Sequence, residues 1–106
     1  MIARIWHGAT SESESEKFFE YMNQTGIKDC GATPGNLGVY VLRRIEEGKS
    51  HFLFITLWES IETIKRFAGD NINQAVYYPD DKIFLPELEP YVVHYEVLSA
   101  PQLTLS

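Results

Sequence analysis

The stretch His51-Phe-Leu-Phe-Ile-Thr-Leu-Trp58 decides the fold. Its aromatic and β-branched residues, bounded by polar turn formers, read as a strand. It does not alternate cleanly between polar and apolar positions: Phe52, Leu53, Phe54, Ile55, Leu57 and Trp58 are nearly continuous. Such a strand is covered on both faces. Upstream, Leu37–Ile45 is a second strand, joined to it through Glu46-Glu-Gly-Lys-Ser50, so the pair forms an antiparallel hairpin. Ile2–Ala9 reads as the first strand and Tyr91–Leu98 as the last.

Helices fill the gaps. Thr10-Ser-Glu-Ser-Glu-Ser-Glu16 supplies hydroxyls that cap backbone N–H groups and acids that favour the positive end of a helix dipole. The spacing of Phe18, Phe19 and Met22 predicts a helix from about Glu12 to Thr25, with Gly26 as its C-terminal cap. Residues 28–36 then read as a loop rich in turn formers. Ser60 is the expected cap of a second helix with Ile61, Ile64, Phe67 and Ala68 on one face. Gly69 interrupts it, and Asp70 is expected to start a further turn or two carrying Ile72, Ala75 and Val76 until Pro79 enforces the exit.

The order strand, helix, strand, strand, helix, strand defines an α+β, ferredoxin-like βαββαβ subunit with a four-stranded antiparallel sheet. It occupies residues 1–98, followed by a tail over 99–106 expected either to wrap onto a partner or to be disordered. Helices on one sheet face leave the other open. Large apolar side chains there invite a second copy, hence a homodimer burying ~800 Å² per subunit if the interface is of standard size.

Composition narrows the partners. One hundred and six residues, 44% hydrophobic and 13% aromatic, make one domain with a real core. Fifteen acidic residues against nine basic ones give a net charge of −6. That balance argues against nucleic acid and anionic membranes, which select basic faces. No apolar run approaches the ~20 residues that span a bilayer. Cys30 is the single cysteine, which fits a reducing, cytoplasmic setting. Three scattered histidines without ligand spacing carry no metal signal.

In this order and spacing, several segments resemble the antibiotic biosynthesis monooxygenase domain: His7-Gly-Ala9, Pro34-Gly-Asn-Leu-Gly-Val-Tyr40, Phe54-Ile-Thr-Leu-Trp-Glu-Ser60, Ala75-Val-Tyr-Tyr-Pro-Asp80 and Val93-His-Tyr-Glu-Val97. The resemblance covers roughly residues 1–98 and implies a dimeric α+β barrel. It also implies an activity among cofactor-independent oxygenases of aromatic polyketides, quinol oxygenases or heme-degrading enzymes. Heme-degrading relatives carry an asparagine, a tryptophan and an axial histidine where this chain has His7, Phe67 and Tyr77. All three differ.

The candidate site follows from both readings. Trp58 is either a core or interface anchor or the wall of an aromatic pocket, with Phe67 as a further wall. Tyr77 and Tyr78 leave the second helix together, and at most one is expected to point inward and offer its hydroxyl to a substrate oxygen. His7, whose counterpart in the family faces the cavity, is the candidate base, because a neutral imidazole takes a phenolic proton. The expected function is a monooxygenase-like protein acting on or binding a small aromatic or quinol-like molecule without a cofactor, with His7 and Tyr77 catalytic and Trp58, Phe67 and Tyr78 binding. A non-catalytic dimeric binder of small ligands is the alternative, and heme binding or degradation the second.

Overall fold

The structure is a computed structural model that describes residues 1–101; the end of the expected tail, 102–106, lies outside the described residues. Four strands, β1 (Ile2–Ser11), β2 (Asn36–Glu46), β3 (Lys49–Trp58) and β4 (Val93–Glu96), form one sheet in the order β2-β3-β1-β4. All neighbours are antiparallel. Helices α1 (Ser15–Gln24), α2 (Gly26–Ala32), α3 (Ile61–Ala68) and α4 (Asp81–Phe84) complete an α+β, ferredoxin-like subunit. None is long and apolar enough to cross a membrane.

Strand register assigns the two faces, because side chains alternate. Trp6 pairs with Phe54 and Arg4 with Thr56; these point to the helices, as do Phe52 and Trp58. Two apolar clusters lie there. Trp6, Phe18, Met22, Phe52, Leu85 and Val92 form one, and Cys30, Trp58 and Ile64 the other. On the opposite face stand Ile5 and His7 of β1, Leu53 and Ile55 of β3, Tyr40 and Leu42 of β2, and Val93 and Tyr95 of β4. No helix among the described residues covers them. Leu42 on one edge strand and Val93 and Tyr95 on the other are 49%, 52% and 60% exposed, so large apolar side chains stand uncovered across this face. The double-sided burial read from 51–58 is thus met on one side only within the subunit.

Several boundaries differ from expectation. The first helix begins at Ser15 after a 3₁₀ turn over Glu12–Glu14, and no serine caps it through its side chain. Ser15 is buried and accepts from Arg43 Nη1 at 3.2 Å instead. The loop expected over 28–36 is mostly helix α2, although its two glycines are poor helix formers. Tertiary burial overrides propensity there: Cys30 is wholly buried in the second cluster. At Gly26 a Cβ would stand 3.4 Å from the Phe54 ring, so glycine lets this helix lie close to the sheet.

The helical turns expected after Asp70 are absent. Gly69, at φ +82°, ends α3, and Gln74 instead forms a lone bridge with Tyr91. Ala75 N donates to Pro90 O and Val92 N to Asn73 O, both at 2.9 Å. Arg4 Nη2 holds the carbonyls of Ile72 and Gln74 at 3.3 and 2.8 Å, so carbonyls that a helix would bond internally are taken by a side chain from β1. Strand β4 is shorter than expected, pairing only with Ile2–Ile5.

Candidate functional site

Between the sheet and the helices lies a small cavity walled by Trp6, Phe18, Met22 and Phe54, with Phe67 from α3 and Val76, Tyr77 and Tyr78 from the segment that follows. Its volume is about 40 Å³. That holds a water or a head group of a few atoms, against the ~300–1,000 Å³ of drug-sized ligand pockets. An open groove outside, lined by Asp29, Pro34 and Arg66, shares Phe67, Val76 and Tyr78 with the cavity. These three side chains form the partition between the two spaces.

Both tyrosines line the cavity, not one. They leave irregular chain rather than a helix, and each is held from a different side. Trp6 Nε1 donates to Tyr77 Oη at 3.1 Å, and Tyr77 Oη donates to the Glu89 carbonyl at 2.5 Å. Tyr78 Oη donates to Asp29 Oδ2 at 2.7 Å, while its backbone N donates to Asp81 Oδ2 at 2.7 Å. Burial pushes both hydroxyls above the ordinary tyrosine range, and at Tyr78 the proton donated to Asp29 adds to this. Both stay protonated at neutral pH and act as donors.

Two charged groups line the same space, and residue patterns alone did not reveal either. Arg4 is 5% exposed, and burial lowers its pKa from the usual value. Its guanidinium lies 5.7 Å from the centre of the Phe67 ring, within cation–π range. Asp81 is the lining carboxylate among the described residues, and burial raises its pKa above the ordinary carboxylate value. Arg4 reads in sequence as one basic residue in a strand and Asp81 as one half of a turn. Neither shows its burial before the chain is folded.

Trp58 sits behind the cavity. It is fully buried, donates through Nε1 to Thr56 Oγ1 at 2.8 Å, and stacks on Phe67 with ring centres 6.2 Å apart. His7 stands on the opposite face of the sheet from Phe67, Tyr77 and Tyr78, because Trp6 takes the inward parity of β1. Its Nδ1 lies 2.5 Å from Glu89 Oε2 and its Nε2 lies 3.2 Å from His51 Nδ1, with the two imidazoles stacked. A short array Glu89–His7–His51 results, at the rim of a cleft with Pro86, Glu87 and Lys49. Glu89 therefore serves both sides: its carbonyl holds Tyr77 and its carboxylate holds His7. Among the described residues no group of three or more His, Cys, Asp or Glu is arranged to hold a metal ion.

This fold, with its aromatic space between sheet and helices, is the fold of antibiotic biosynthesis monooxygenase proteins. No family model matches the chain, and no curated protein does; the likeness is to solved structures. A candidate antibiotic biosynthesis monooxygenase from Bacillus cereus superposes with a TM-score of 0.66 at 17% identity, over 99% of this chain and 98% of its own. One from Nitrosomonas europaea gives 0.64 at 16%, over 93% and 100%. The heme-degrader MhuD from Mycobacterium tuberculosis, solved with two hemes in its active site, gives 0.62 at 16%, over 96% and 100%.

Heme itself does not suit the lining seen here. Among the described residues the cavity presents no imidazole or thiol, and the Tyr77 hydroxyl is already held between Trp6 and Glu89.

Proposed function

We propose that the chain is a monooxygenase-like protein that takes a small aromatic or quinol-like molecule at the cavity between sheet and helices. The reading rests on one observation. Phe67, Tyr77 and Tyr78 converge on a single apolar space whose wall also carries Arg4 and Asp81. Entry requires the partition of Phe67, Val76 and Tyr78 to swing, joining the cavity to the outer groove. The protein works as a homodimer closed over the apolar sheet face, in the cytoplasm, the setting that its lone thiol fits.

For an anthrone-like methylene the reaction is R₂CH₂ + O₂ → R₂C=O + H₂O. A protein base assists by removing the first proton, since the carbanion gives an electron to oxygen far more readily than the neutral molecule does. Asp81 is the base for a molecule in the cavity, its affinity for a proton raised by burial. His7, oriented by Glu89, is the base for one that enters the cleft it shares with Pro86 and Glu87.

Oxygen uptake with a panel of hydroquinones and anthrones tests the proposal. A fall of about 10²-fold in Asp81→Asn with little change in His7→Ala assigns the proton to the cavity, and the reverse assigns it to His7. Thermal stabilisation by these compounds without oxygen consumption supports the non-catalytic binder instead. Neither uptake nor stabilisation sinks the reading. A Soret band on titration with hemin would select a heme-binding alternative against the lining seen here.

A further inference from the structure

Arg4 is buried in a chain with fifteen carboxylates, yet among the described residues none forms an ion pair with it. Its Nη2 secures the loop at Ile72 and Gln74, a task that a neutral donor would perform. Its Nε, wholly buried, has no hydrogen-bond partner. His94 is the residue opposite Arg4 on β4, and its Nε2 is also buried without a partner. Two unsatisfied nitrogens thus occupy neighbouring strand positions, one on a positive charge that meets the Phe67 ring but no carboxylate. Buried charge and buried polar nitrogen are both unfavourable unless something completes them.

The surroundings restrict what completes them. The cavity that Arg4 lines admits a few atoms, and its aromatic walls Phe67 and Tyr78 are shared with the outer groove. Asp81, the lining carboxylate, accepts from the Tyr78 backbone instead of pairing with Arg4. His94 is not among the residues that line the cavity, which leaves Arg4 as the cationic group that faces a guest there.

We propose that Arg4 receives an anionic oxygen of the ligand, so that the site selects small aromatic acids with the carboxylate inside the cavity and the ring against the shared aromatic wall. This deepens the function proposed above and rests on it: the ligand class becomes an aromatic carboxylate rather than a neutral quinol.

The test is calorimetric titration of the full chain with 4-hydroxybenzoate and with its uncharged isostere 4-hydroxybenzamide, with hydroquinone as a third arm. The expected result is that the acid binds at least about tenfold more tightly than the amide, since a charge-assisted hydrogen bond is worth more than a neutral one. Arg4→Gln is expected to abolish that preference. Equal affinities for acid and amide overturn the inference in the wild-type protein alone, even where Arg4→Gln fails to fold. An acid preference that survives in a folded Arg4→Gln overturns it too. Hydroquinone binding without acid binding removes this inference and leaves the proposed function standing; binding of neither removes both.

Discussion

Gly8 exists because Trp6 lies over it: a Cβ there would stand 2.2 Å from the indole ring. Gly8→Ala drives the indole off Phe18 and off the Tyr77 hydroxyl, and is expected to destabilise by about 1–3 kcal/mol. Urea unfolding reads this as a lower midpoint with an unchanged slope. His94 makes a second prediction at this scale. Its folded pKa is lowered by burial first and by Arg4 second, so the folded state binds fewer protons than the unfolded chain just below the ordinary histidine value of 6.5. Stability is therefore present above that pH and lost as pH falls through the depressed folded value. Melting temperatures measured from pH 7.5 downward are expected to drop less steeply in His94→Phe than in wild type, and parallel curves would refute the assignment. Cys30 lies nearby with its thiol pushed up to about 12, chiefly by burial, and stays an uncharged packing residue.

At the scale of elements, legibility followed signal strength. The hairpin was readable because an apolar run flanks Glu-Gly, and Ser60 was readable as a cap: it forms a capping box with Thr63. The turn is tighter than the five residues expected. Glu46 pairs with Lys49, leaving Glu47 and Gly48, both at positive φ (52° and 78°). Glutamate is a poor occupant of that conformation, so Glu47→Asn is expected to raise stability by about 0.5 kcal/mol, read as a higher denaturant midpoint. Helix α2 was hidden because its composition, Gly-Ile-Lys-Asp-Cys-Gly-Ala, is that of a loop, and what makes it helical is the distant packing of Cys30 and Phe54. The missing turns after Asp70 were hidden for the same reason, since the competing partner for their carbonyls is Arg4, about seventy residues away in sequence. Phe67, Tyr77 and Tyr78 could be placed near one another by spacing along one segment. The side of β1 that faced them depended on a choice between Trp6 and His7, adjacent residues of opposite parity. Sequence offered no physical ground for it beyond the greater bulk of tryptophan.

At the scale of the whole molecule, the uncovered sheet face is the feature that a lone subunit leaves unresolved. Leu53 lies near its middle, beside His7 across the strand pair, and is more than a third exposed. Leu53→Arg places a charge where our proposal puts a dry interface, so it is expected to sediment at the subunit mass of 12.2 kDa while wild type sediments at twice that. A wild-type protein that sediments as a single subunit at micromolar concentration refutes the dimer. The hydrogen bonds that pass round the end of the sheet, from Trp6 through Tyr77 and Glu89 to His7 and His51, have a consequence for such a pair. In the proposed dimer, a guest that displaced Tyr77 would tug on Glu89, whose carboxylate holds His7 on the face given to the interface. Occupancy and self-association then become two readings of one equilibrium, and reciprocity demands that whatever the guest adds to the grip between subunits, the grip returns to the guest.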